Sequence, residues 1–105
     1  MRETAKEATR AWVLHPDLKS DRDRRDAEPA LAEAVALAAA LPDLDVRGAE
    51  VVPLPKVHAG TLFGSGKIAD LKARFQAEEV GLVLVDGPVS PVQQRNLEKE
   101  WGVKL

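Results

Sequence analysis

The chain has 105 residues, of which 45% are hydrophobic and 30% charged, and a formal net charge of −2. One ordinary globular domain fits that length, and the slight acidity excludes a broadly cationic nucleic-acid module, leaving only a local patch for any RNA contact. Lack of cysteine excludes disulfides and thiolate chemistry, two histidines argue against a histidine-rich metal site, and no stretch approaches the roughly twenty apolar residues of a membrane span.

Residues 1–10 carry charges throughout and lack the apolar centre of a secretory signal. They read as an N-terminal tail before an α/β domain at 11–105, and a cytoplasmic location is expected. Ala11-Trp12-Val13-Leu14 is short and continuously apolar, as in a strand covered on both faces. Pro16 to Asp26 is dense in charge and reads as a loop or a frayed helix start. From about Glu28 to Leu41 an alanine- and leucine-rich helix is expected, with Leu31, Val35, Ala38 and Leu41 on one stripe, Pro29 in the first turn and Pro42 as its stop.

Val46 to Leu54 reads as a second strand, closed by Pro53 and Pro55, and Lys56 to Phe63 as a loop. A helix follows over Ser65 to Glu79, with Ile68, Leu71 and Phe75 at i, i+3 and i+7. Leu82-Val83-Leu84-Val85 is the clearest buried strand. Asp86-Gly87-Pro88 is turn chemistry, and Ser90-Pro91-Val92-Gln93 starts a helix with a serine cap, a proline at the first position and a glutamine that completes a capping box. Gln94, Leu97 and Trp101 are expected to point inward, Gly102 ends the helix, and Val103-Lys104-Leu105 looks like the beginning of a fourth strand, as in a segment cut from a longer protein. The alternation predicts a small open parallel four-stranded sheet, βαβαβαβ, with helices on both faces and strand order 2-1-3-4.

Gly64-Ser65-Gly66-Lys67 opens the second helix. A P-loop needs a glycine five residues before Gly66 and a serine or threonine after Lys67; Thr61 and Ile68 stand there, so triphosphate hydrolysis through this turn is excluded. Two readings stay open. The turn contacts an anion through free helix amides and Lys67, or the glycines merely permit a tight entry while Ser65 caps. Asp86 falls at the carboxyl end of a central strand, where such sheets place ligands, yet without a catalytic companion nearby it reads as a turn former. His15 and His58 read as a packed strand-end residue and a loop residue, not a metal pair. Trp12 and Trp101 belong to the core or its rim, and the chain lacks an aromatic platform for single-stranded RNA. In Asp21-Arg22-Asp23-Arg24-Arg25-Asp26 the aspartates cancel the arginines' field. No catalytic or metal-binding residue is assigned.

Leu62-Phe63-Gly64-Ser65-Gly66-Lys67, with Ile68 and Asp70-Leu71 after it, is similar to an aromatic-x-Gly-Ser-Gly-Lys-like segment of the HflX family of ribosome-associated GTPases. Ser90 to Glu98 matches that family's Ser-Pro-x-Gln-x-Arg-Asn-Leu-Glu at every fixed position, and Asp86-Gly87 and the Arg24-Arg25 loop look like it too. The resemblance covers about residues 11–105 and implies the family's N-terminal domain. The family's Asp-Arg-Thr segment, helical hairpin and GTP-binding domain have no counterpart here, so hydrolysis is not carried over. What it implies is an accessory role: docking a longer parent on the large ribosomal subunit and its RNA, packing against the parent's helical and GTPase domains, and modulating turnover. GTP and Mg2+ are then expected in the parent, with no cofactor in these residues. Gly64, Ser65, Gly66 and Lys67 are the expected contacts to nucleotide or RNA phosphate, with Arg95 and Asn96 on the solvent side of the last helix. The competing expectations are a stand-alone ATP-binding domain using the Gly64–Lys67 turn, and a purely structural regulator.

Overall fold

Parallel strands need a crossover between them, and each apolar run in this chain is followed by a helical pattern that supplies one. In the computed structural model, which describes residues 8–18, 27–54 and 56–105, the elements are β1 (Thr9–Leu18), α1 (Ala27–Ala39), β2 (Leu44–Leu54), α2 (Ser65–Glu78), β3 (Leu82–Val85) and α3 (Pro91–Trp101). The strands form one parallel sheet in the order β2-β1-β3. Residues 1–7 and the charged segment 19–26, including the Asp21–Asp26 run, lie outside the described residues.

The expected four-stranded sheet is corrected to three strands. Val103 to Leu105 supplies a single parallel bridge, Lys104 to Leu82, through Val83 N–H to the Lys104 carbonyl at 2.8 Å and Lys104 N–H to the Gly81 carbonyl at 3.2 Å. Directly after the left-handed Gly102 cap, three residues close this one step of a ladder and do not repeat it.

β1 is longer than its apolar run. The Arg10 and Leu14 carbonyls accept from Gly81 and Asp86 N–H, both at 2.8 Å, so even-numbered residues turn their backbone groups toward β3. Pro16 is the next even position, and β1 pairs with β3 only as far as Leu14, so its missing N–H costs no ladder bond. On the other edge β1 pairs with β2 along its whole length. A bulge sets Trp12 opposite Gly48 and leaves Arg47 as the extra residue. A hydrogen bond to Glu78, then the charge of Asp45, raises the exposed Arg47 guanidinium above its usual value.

The sheet has two unlike faces. Leu14, Val52, Leu54 and Val83, with Trp12 and Val85 against them, join Ile68, Leu71 and Phe75 of α2 and Leu97 and Trp101 of α3 in the main core. Trp12, Phe75, Trp101 and Phe63 touch in series, with centroids 5.7, 5.0 and 6.0 Å apart. On the other face α1 packs over β1 and β2, where Ala11, Val13 and Ala38 are buried.

The start of α3 follows its sequence signals. Ser90 Oγ accepts from Gln93 N–H at 3.1 Å and Gln93 Oε1 accepts from Ser90 N–H at 2.9 Å, closing the capping box. Gln94, expected inward, is exposed, and Gln93 takes the buried place because the box turns it toward the fold. Ser90→Ala opens the box and is expected to cost about 1 kcal/mol in urea unfolding; an unchanged midpoint would refute the cap's role.

Candidate functional site

The loop into α2 is built by α3. His58 and Leu62 form an antiparallel bridge, with N–H to carbonyl distances of 3.2 and 2.7 Å. Closing so small a loop puts the buried Leu62 at φ 68°, left-handed backbone that a branched side chain adopts only when its surroundings hold it. Two amides of α3 do the holding. Gln93 Nε2 donates to the His58 carbonyl at 3.0 Å, and Asn96 Nδ2 donates to the Gly60 carbonyl at 2.8 Å. Thr61 Oγ1 donates to the Phe63 carbonyl at 3.0 Å.

α2 therefore begins from a fixed loop. Gly64 is its N-cap, in extended backbone with no side-chain cap bond, and its carbonyl accepts from Ile68 N–H at 3.0 Å. Ser65 occupies the first helical position and does not cap. A β-carbon at Gly66 would meet open space, while His58 Nε2 lies 3.6 Å from where one at Gly64 would stand. Lys67 has carboxylate neighbours: its Nζ lies 2.6 Å from Glu50 Oε2 on β2 and 3.6 Å from Asp70 Oδ2. Arg74 closes the network, bonded to Glu50 and 3.3 Å from Asp70. Two carboxylates thus neutralise two cations beside the glycine turn, and the half-buried Glu50 ties α2 to β2.

The two residues expected on the solvent side of α3 differ. Arg95 is exposed and makes no hydrogen bond or ion pair among the described residues, whereas Asn96 is half-buried and spent on the loop. Two further motif residues make internal contacts: Glu98 Oε2 accepts from Leu105 N–H at 3.0 Å, and Leu97 lies in the core.

One pair escaped the sequence reading. His15 Nδ1 lies 3.0 Å from Asp86 Oδ2, joining the carboxyl ends of β1 and β3. The chain crosses from one side of β1 to the other between β2 and β3, so this is the switch point of the sheet. In the sequence each stands just after an apolar run, Ala11–Leu14 and Leu82–Val85, but 71 positions separate the two. Beside it a cavity of about 520 Å³ is walled by Pro16, Leu54, Val57, Leu62, Pro88 and Val89, with Ser90 and Gln93 at its polar side. No group of three or more potential metal ligands occurs among the described residues, nor a helix long and apolar enough to cross a membrane.

The family model described as "GTP-binding GTPase N-terminal" matches residues 28–105. The chain belongs to this family, as the N-terminal domain of HflX-type proteins. This HflX-type domain is 36% identical over 62 residues to the "GTPase HflX" of Magnetococcus marinus, covering 59% of the chain and 14% of that protein. It is also 32% identical over 101 residues to the mouse (Mus musculus) protein titled "Putative GTP-binding protein 6", covering 91% of the chain and 20% of that protein. The chain thus spans a small part of the length of these relatives and is a GTPase-associated domain.

Proposed function

We propose that this domain docks an HflX-like GTPase on the RNA of the large ribosomal subunit and modulates GTP turnover there, with GTP and Mg2+ bound outside residues 1–105. One observation carries the reading. Of the polar residues at the fixed positions of the Ser90–Glu98 motif, Ser90, Gln93, Asn96 and Glu98 are engaged in hydrogen bonds within the chain, while Arg95 projects without a protein partner among the described residues. A guanidinium presented on a rigid helix is suited to phosphate.

In a full-length protein carrying this domain, Arg95→Ala should weaken binding to purified large subunits and flatten the log–log salt dependence by about one unit. Unchanged affinity and slope would reject the docking role of Arg95. Removing residues 1–105 should change the ribosome-stimulated GTPase rate; an identical rate would reject modulation.

The uncapped start of α2 supports a second reading, a nucleotide or RNA phosphate at Gly64, Ser65, Gly66 and Lys67. Its electrostatics supply a test with a definite sign. Lys67→Ala should weaken phosphate binding, and Glu50→Gln, which frees Lys67 and Arg74 from half of their compensation, should strengthen it. Calorimetry of the 105-residue chain with ATP and GTP, with and without magnesium, reads both variants. Tight magnesium-dependent ATP binding would favour a nucleotide site over the docking role, and no change on Glu50→Gln would remove Lys67 from the contact.

A further inference from the structure

Open α/β sheets take ligands at the carboxyl ends of their strands, beside the switch point. At that edge, next to His15 and Asp86, lies the cavity of about 520 Å³, with the size and concave form that enclose a small molecule. Pro16 of β1, Leu54 of β2, Leu62 of the loop into α2 and Val89 ahead of α3 reach it from four separate stretches of chain. Leu62 is the residue held at φ 68°, and backbone strain of that kind is retained where the shape of a site matters.

The walls say what chemistry fits. Asp17, Lys56 and Asp86 neighbour them in sequence, yet no lysine, arginine, aspartate or glutamate lines the cavity among the described residues. A charged ligand would lose its hydration there and gain no partner. The two polar residues, Ser90 and Gln93, belong to the capping box, which already engages both of their side-chain oxygens. Gln93 is 8% exposed and gives one Nε2 hydrogen to the His58 carbonyl. Among the described residues the second Nε2 hydrogen and the Ser90 hydroxyl hydrogen are left unused, and both are donors.

We propose that this cavity binds an uncharged small molecule built on an apolar ring and carrying a carbonyl or ring-nitrogen acceptor. The ring lies against the proline and leucine walls, and the acceptor takes the free hydrogen of Gln93 Nε2. Neutral walls exclude phosphate groups, so this ligand differs in kind from the anion considered at the Gly64–Lys67 turn. A rigid ring also loses little conformational freedom on entering.

Amide proton–nitrogen spectra of the 105-residue chain, titrated with quinolin-2-one, read the binding directly. Saturable shifts should gather on Val57, Leu62, Val89 and the Gln93 side-chain amide, with half-saturation below about 1 mM for a compound of that size. Indole, which donates but does not accept, should bind severalfold more weakly, and 2-naphthoate, a bicycle with a carboxylate, at least tenfold more weakly. Val57→Glu, at a position 45% exposed on the rim, should weaken quinolin-2-one at least tenfold. Calorimetry of a full-length protein carrying the domain should return the same affinity as the short chain. Shifts that do not saturate, or that fall elsewhere, would overturn the proposal. So would equal binding of indole, equal binding of 2-naphthoate or ATP at the same residues, or no response to Val57→Glu. Loss of binding in the longer protein would mark a seat for a neighbouring domain and overturn it too. Neither Arg95 nor the Gly64–Lys67 turn lines the cavity, so failure of either reading leaves this outcome legible.

Discussion

Trp101→Ala should cost about 4 kcal/mol of folding stability, the range for removing a large aromatic from a packed core. Trp101 is 3% exposed, its Nε1 donates to the Ile68 carbonyl at 3.1 Å, and its ring meets Phe75 edge-on at 5.0 Å and an interplanar angle of 88°. It also leans on Phe63, 6.0 Å away, just ahead of the Gly64 cap. The indole therefore joins the last turn of α3 to the first turn of α2, and its loss leaves a cavity where the two helices meet. Against a total of about 5–15 kcal/mol for a domain of this size, the variant is left marginal. Urea unfolding followed by circular dichroism measures the loss. Trp101→Phe, which retains the edge-on contact but not the hydrogen bond, should lose less than half as much. A cost under about 1 kcal/mol for the alanine would show that the helices are held apart from this residue.

The sequence made the helix starts legible because their signals are local. Ser90, Pro91 and Gln93 act within one turn, and Ile68, Leu71 and Phe75 mark a face without reference to anything else. Strand lengths were not local. β1 extends to Leu18 because β2 pairs with it throughout and because Pro16 falls on the side that β3 has already left, facts that neither apolar content nor turn residues encode. The fourth strand failed for a related reason: Val103 to Leu105 has strand composition, but pairing is a property of a ladder, and only one bridge forms.

The site was legible in its parts and not in its wiring. Both family-like segments were visible as motifs, yet nothing in their residues says that Gln93 and Asn96 hold the loop carrying His58 and Gly60. Their separation in sequence hides it, as it hides the approach of His15 to Asp86. Lys67 shows the same limit with opposite consequence. Its position at a helix start suggests an anion, while Glu50, on a strand seventeen positions earlier, competes for its charge. The charge balance of the segment is thus set by Glu50, a residue outside the motif.

Gly48 poses the second large effect, and it depends on one partner. A β-carbon at this position would fall 2.5 Å from Trp12 Cη2 and 2.6 Å from Cζ3, closer than real carbons approach. The indole has little freedom to retreat, because its other side meets Phe75 at a centroid distance of 5.7 Å and the bulge fixes its register. Gly48→Ala should therefore cost about 2 kcal/mol, as overpacking of a rigid site does. The clash is with the far ring of the indole, which phenylalanine lacks. Trp12→Phe also removes the Trp12 Nε1–H, buried without an acceptor among the described residues, so part of its lost packing is offset by relief of that unpaired donor. In the Trp12→Phe background, Gly48→Ala should then be nearly neutral, or gain slightly from alanine's lower entropy cost in a strand. The two substitutions would show a coupling of about 2 kcal/mol in a double-mutant cycle read by urea unfolding. If they added within about 0.5 kcal/mol, the glycine would be required by the backbone of the bulge and not by the tryptophan laid over it.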